Sequence, residues 1–84
     1  MTHRITIKPT AQKELEALPD PVLRRVDGAI SALGSQPRPR GCVKVRGTSL
    51  YRIRVAEYRV LYRVDDQARV IDVVSVGHRR EVYR

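Results

Sequence analysis

The stretch from Leu50 to Val64 constrains this chain more than any other. From Leu50 to Val55 the residues alternate, with Tyr51, Ile53 and Val55 on one side and Arg52 and Arg54 on the other. Ala56-Glu57 interrupts the pattern as a short connection. It then resumes, setting Tyr58, Val60, Tyr62 and Val64 against Arg59, Leu61 and Arg63. Successive side chains leave a strand on opposite faces, so a period of two marks a strand with one face buried. Two neighbouring strands are therefore expected, apolar and aromatic on one side and arginine-rich on the other.

The rest of the sequence supplies what that apolar face needs to pack against. Arg4 to Lys8 alternates as a short strand, and Pro9-Thr10 breaks it. Ala11, Leu15 and Leu18 recur at helical spacing, predicting a helix over about residues 10–18 that Pro19 stops. Asp20-Pro21 reads as an N-cap followed by proline at the first helical position. Val22, Val26, Ala29, Ile30 and Leu33 then form one apolar stripe on a second helix, about 21–33, with Gly34 where a C-terminal glycine belongs. Residues 35–41 read as a loop, 42–46 as a strand, 47–49 as a turn, and Asp65-Asp66-Gln67 as a hairpin turn. Val70 to Val76 is nearly apolar on both faces, as a central strand is. The first strand must join the sheet other than by a hairpin, because helices intervene. The expected fold is α+β in two layers. An N-terminal strand and a helical hairpin pack on one face of a mostly antiparallel sheet of four to five strands, in a single domain over 1–84.

Charge narrows the function classes. Seventeen Lys and Arg oppose nine Asp and Glu, a net +8. Residues 1–37 carry net +1 and residues 38–84 carry net +7. A cationic surface concentrated in one part of a chain points to phosphate polymers or acidic protein partners. No run approaches the roughly 20 apolar residues of a membrane span. The start lacks the apolar block of a secretory signal, so no membrane role and a cytoplasmic location are expected. Cys42 is the only cysteine and has no paired ligand spacing with His3 or His78, so neither a metal nor another cofactor is expected.

The arginines of the alternating strands carry the chemistry. Arg52 and Arg54 share one side of a strand, Arg59 and Arg63 lie on the next, Lys44 and Arg46 form a similar pair upstream, and Arg79 and Arg80 follow the last strand. A face kept only for solubility usually mixes signs, and like charges on adjacent strands repel; a polyanion would relieve that repulsion. Arginine's planar fork grips two phosphate oxygens and stays charged. Metal-free RNA cleavage requires removing a proton from the 2′-hydroxyl, stabilising a pentavalent phosphate, and protonating the leaving 5′-oxygen. Fixed arginines serve the second step and not the proton transfers. His78 and Tyr83 are the candidates with usable protons, and Tyr83 could also stack on a base.

Three segments carry a resemblance: Lys44-Val45-Arg46-Gly47; Leu50 to Val55 with Tyr58-Arg59-Val60-Leu61-Tyr62; and Val74-Ser75-Val76-Gly77-His78-Arg79-Arg80-Glu81-Val82-Tyr83. With the helical hairpin ending Ala-Leu-Gly-Ser-Gln-Pro-Arg, they resemble the RelE/ParE toxin superfamily, and the ending resembles the RelE branch. The resemblance spans essentially the whole chain. It implies a toxin of a type II toxin–antitoxin system, held inactive by a RelB-like antitoxin in a hetero-oligomeric complex that binds DNA through the antitoxin. It implies endonucleolytic cleavage of mRNA in the ribosomal A site by in-line attack of the 2′-hydroxyl. It implies that Arg52 and Arg54 act on the scissile phosphate, Arg59 stabilises the transition state, Arg79 binds phosphate and Tyr83 orients the nucleotide. Lys44, Arg46, Arg63 and Arg80 would add RNA contacts. The best-known RelE pattern has lysines where this chain has Arg52 and Arg54. A crowded lysine can shed its proton and arginine hardly can, so either His78 or Tyr83 carries the proton, His78 being preferred, or catalysis relies mainly on positioning and charge stabilisation. A ParE-like gyrase poison, a non-enzymatic RNA- or ribosome-binding module and an inactive relic are the competing readings.

Overall fold

In a computed structural model of the chain, residues 2–78 are described. The elements run β1 (Arg4–Ile7), α1 (Pro9–Glu16), α2 (Asp20–Leu33), β2 (Val43–Lys44), β3 (Leu50–Val55), β4 (Tyr58–Asp65) and β5 (Val70–His78). The strands form one sheet in the order β1-β5-β4-β3-β2. β1 runs parallel to β5 and the other pairings are antiparallel. The α+β architecture is as the sequence predicts, and β5 is the inner strand its two-sided apolarity requires. Among the described residues no helix is long and apolar enough to cross a membrane.

Both helices lie on one face of the sheet. Ala11 and Leu15 of α1 and Val26, Ile30 and Leu33 of α2 are buried against Ile53, Val60, Tyr62, Ile71, Val73 and Val76. The helical residues recur every three or four positions and the strand residues come from one side of each strand. Each fully buried aliphatic side chain contributes about 1.5–3 kcal/mol, so the layer is held by this one contiguous core. Glu14 of α1 binds the edge of β5 that β1 leaves uncovered, its carboxylate accepting from the Val76 amide at 2.9 Å and the Ser75 hydroxyl at 3.3 Å.

Several boundaries differ from the sequence reading for identifiable reasons. Pro19, extended at φ −58° and ψ 145°, is the N-cap of α2, so Asp20 is the first helical residue. There its carboxylate still favours the positive end of the helix dipole. Gly34 is not left-handed: its φ of −59° is ordinary helical backbone. What requires glycine is close approach. The His3 amide donates to the Gly34 carbonyl at 2.6 Å, and a Cβ on Gly34 would stand 2.9 Å from the His3 carbonyl oxygen. The strand expected over 42–46 is only Val43–Lys44, because the chain turns at 46–49 to start β3.

Candidate functional site

The β3–β4 hairpin sets its arginines in register. Arg54 lies opposite Arg59, and Arg59 in turn opposite Gly77 of β5. One pleat away the row is Arg52, Leu61 and Ser75. Val60 and Tyr62 are buried on the helical side, so these rows project from the other face. Among the described residues no strand position in either row carries a carboxylate. Arg54 is exposed, Arg52 is half-buried, and Arg59 is only 8% exposed. A guanidinium buried to that degree is held in place before any ligand arrives, as a preorganised donor for anionic oxygen must be.

Arg63 also emerges on this face, in different company. It pairs in register with Asp72, donates from Nε to the Ser49 hydroxyl at 3.3 Å, and stands 3.9 Å from the Asp72 carboxylate. Asp72 is also 3.2 Å from Lys8 Nζ and accepts from the Thr6 hydroxyl at 3.1 Å. Among the described residues, Arg52, Arg54 and Arg59 therefore make up the cationic patch, with Arg63 at a mixed-charge margin.

Other residues expected to join them do not. Lys44 pairs with Tyr51 and so falls on the helical side, while Val43 faces Arg52; Arg46 lies in the following turn. His78 is the more consequential correction. Leu61 pairs with Ser75 but Tyr62 with Val73, so Val74 is an extra residue, a bulge in β5. One extra residue reverses the alternation beyond it. Val76 and His78 consequently share the helical side with Val73. The His78 ring meets Tyr58 edge-on, with centroids 5.6 Å apart at 84°, in a cleft also lined by Glu14 of α1 and by Leu18 in the link that follows it. Arg79, Arg80 and Tyr83 lie outside the described residues.

A polar clasp near the other end of the sheet has no counterpart in the sequence reading. Arg38 donates from Nε to the Tyr51 hydroxyl at 3.1 Å, lies 5.1 Å from that ring's centroid, and pairs with Asp66 at 3.0 Å. His3 Nε2 reaches the other Asp66 oxygen at 3.2 Å. Arg38, and then His3, hold the Asp66 carboxyl below the usual range by hydrogen bonding to its charged form. Beside the clasp, Tyr62 stacks on Tyr51 with centroids 5.9 Å apart and donates its hydroxyl to the Pro37 carbonyl at 2.7 Å. Burial pushes the Tyr62 phenol up, and Cys42 adds to the shift. The one legible signal was Tyr62 itself, since a buried tyrosine hydroxyl usually finds an acceptor.

A helical hairpin covering one side of a mixed five-stranded sheet, with arginines on the other, is the arrangement of a class of small toxins. The chain belongs to the RelE/ParE superfamily: residues 5–83 match the family described as ParE toxin of type II toxin–antitoxin system, parDE. Toxin RelG of Mycobacterium tuberculosis is 31% identical over 88 residues, an alignment covering 100% of this chain and 99% of that protein. The archaeal RelE–RelB complex from Pyrococcus horikoshii OT3 contains a chain 33% identical, superposing with a TM-score of 0.84 over 96% of this chain and 99% of that one. The isolated E. coli RelE toxin is 30% identical with a TM-score of 0.80, covering 96% of this chain and 90% of that one. The chain is thus a toxin of the type II toxin–antitoxin class.

Proposed function

We propose that the protein is a RelE-like endoribonuclease that cleaves mRNA in the ribosomal A site. The observation that carries this reading is the convergence of Arg52, Arg54 and Arg59 on the uncovered face of the sheet, with Arg59 nearly buried. Likeness to proteins named RelG and RelE, spanning nearly the full chain, supports the same branch.

In the reaction, the 2′-oxygen attacks the adjacent phosphorus in line, forming a 2′,3′-cyclic phosphate and breaking the bond to the 5′-oxygen. The proton lost from the 2′-hydroxyl is balanced by one gained on the leaving 5′-oxygen. Arg52 and Arg54 orient the scissile phosphate. Arg59, fixed in place, stabilises the charge of the pentavalent state, and its positive charge does the work that a metal ion does elsewhere. Among the described residues no histidine or tyrosine shares this face. The mechanism therefore relies on positioning and charge stabilisation, with Arg79 as a further phosphate ligand and Tyr83 as the remaining side chain able to orient the nucleotide. Lys44, Arg46 and Arg80 contribute outlying phosphate contacts. A RelB-like antitoxin partners the toxin and holds it inactive, the partnership being supported by relatives solved as RelE–RelB complexes; DNA binding by the complex, through the antitoxin, belongs to the same proposal.

Induction of the chain in a bacterial host, followed by mapping of mRNA ends, tests this reading. Codon-phased cuts in translated messages, lost when translation is blocked, are the expected result. Intact messages with DNA-damage signalling would overturn it in favour of gyrase poisoning, and an absence of any growth effect would mark an inactive relic.

A further inference from the structure

From Val70 to Val76 every residue of β5 is apolar or serine except Asp72. Aspartate is depleted from strands, and a carboxylate on an inner strand is stabilised only by partners. Asp72 has three, from separate parts of the chain. Its Oδ1 accepts from the Thr6 hydroxyl of β1 at 3.1 Å. Its Oδ2 lies 3.2 Å from Lys8 Nζ, just beyond β1, and 3.9 Å from the Arg63 guanidinium of β4. The side chain is 25% exposed, so it meets solvent on the uncovered face of the sheet.

Register places Asp72 in line with the arginines. Arg54 and Arg59 form one row across that face, Arg52 and Leu61 the next, Arg63, Asp72 and Thr6 the third, and Asp65, Val70 and Arg4 the fourth. The first two rows hold arginine at their strand positions, and each of the last two sets a carboxylate among its cations. Arg63 stands four residues from Arg59 along β4, about 13 Å at the rise of an extended strand, on the path of an RNA chain laid over the arginines. A hollow of about 310 Å³ opens beside Arg63, and Asp65 and Asp72 form part of its wall. The two carboxylates make it a poor seat for phosphate. A carboxylate on such a face could read a base by accepting from an exocyclic amine. The oxygens of Asp72 are already engaged by Thr6, Lys8 and Arg63. What this carboxylate does is withhold two cations.

We propose that Asp72 ends the RNA track on this face. It holds Arg63 and Lys8 away from phosphate, leaving Arg52, Arg54 and Arg59 as the phosphate ligands of the face among the described residues. Asp72 thereby determines specificity and touches no reacting atom. The footprint is confined to phosphates near the scissile bond, so free RNA is held weakly and a message is cut where something else secures it. The inference rests on the reading of the arginine face as an RNA site.

Asp72→Asn removes the charge and keeps an acceptor for Thr6. The test measures, by fluorescence anisotropy over a range of salt, how the full chain binds a short single-stranded RNA, 2′-O-methylated so that it lacks the attacking hydroxyl. Asp72→Asn is expected to bind more tightly than the parent at low salt. Its plot of log K against log salt should be steeper by about 0.7–1.4, for one or two phosphates gained. Adding Arg63→Gln and Lys8→Gln should restore the parent slope, and Asp72→Glu, which keeps the charge, should not change it. Asp27→Asn makes the same change of charge at an exposed position of α2, across the sheet, and should also leave the slope alone. A purely structural role for Asp72 predicts weaker binding and no steeper slope. An unchanged slope in Asp72→Asn would overturn the proposal, as would an equal rise in Asp27→Asn. So would a loss of binding confined to RNAs carrying one particular base, which would make Asp72 a base reader. A parent that binds RNA and loses it on Arg59→Ala, with no response to Asp72→Asn, sinks the role of Asp72 alone. A parent that binds no RNA at any salt sinks the nuclease reading and this inference with it.

Discussion

Arg54 and Arg59 stand directly opposite one another across the β3–β4 hairpin, two like charges in a single cross-strand pair. Such pairs destabilise a sheet by about 0.2–1 kcal/mol. An anionic ligand between the two guanidinium groups would relieve that repulsion.

Replacing one member should stabilise the isolated toxin at the cost of its activity. Arg54→Thr keeps a good strand former and removes the repulsion. It is expected to raise the melting temperature by a few degrees, about 0.5 kcal/mol at the usual 4–8 °C per kcal/mol for a domain of this size. Added salt should shrink the gap between variant and parent, because screening weakens the repulsion in the parent. Thermal melts at low and high ionic strength check this, and a variant that melts lower at both would refute it.

Arg59 and His78 separate the two accounts of catalysis. Arg59→Ala should lower cleavage by about 10²–10³, the usual cost of one preorganised donor to a transition state. His78→Ala, on the helical side against Tyr58, should cost less than about tenfold, below the roughly 10²–10⁴ that general acid–base groups supply. Time courses of message cleavage in a translation extract, with circular dichroism confirming the fold, measure both. A His78→Ala loss as large as that of Arg59→Ala would restore His78 as the proton carrier.

Tyr62 should resist alkaline titration. Its phenol is pushed above the ordinary 10.0, chiefly by burial. The unfolded chain loses this proton near the ordinary value while the folded chain keeps it. Stability from this group is therefore complete below pH 10 and falls as pH rises toward the raised folded value. Ultraviolet absorbance at high pH should leave one of the four tyrosines protonated until the protein unfolds. Tyr62→Phe should remove that resistant class and lower stability by about 1 kcal/mol, since the Pro37 carbonyl loses its donor.

Gly34→Ala should loosen the junction of α2 with β1. The added Cβ would meet the His3 carbonyl at 2.9 Å and the Ser31 carbonyl at 3.3 Å, both backbone atoms that cannot swing aside. A destabilisation of about 1–3 kcal/mol is expected, with faster amide exchange at His3 and along β1. Gly28→Ala provides the control. A Cβ there meets nothing within 4 Å, and alanine is the better helix former by about 1 kcal/mol, so the melting temperature should rise.

The sequence by itself determined which residues of each regular element share a face. The stripe from Val22 to Leu33 and the alternation on either side of Ala56-Glu57 are local periodicities, so the core and the facing of Arg52, Arg54, Arg59 and Arg63 were legible without coordinates. Only the tertiary structure decided what depends on pairing between distant segments. It set β1 parallel to β5, gave Arg63 an acidic neighbour in Asp72, and tied Arg38 to Asp66 across the fold. It also turned His78 away from the arginines. In β5 both faces are apolar, so no polar alternation marked its facing, and the extra residue at Val74 reversed it. A bulge is fixed by the neighbouring strand's hydrogen bonds, and a strand apolar on both sides leaves no trace of it in its own hydrophobic pattern.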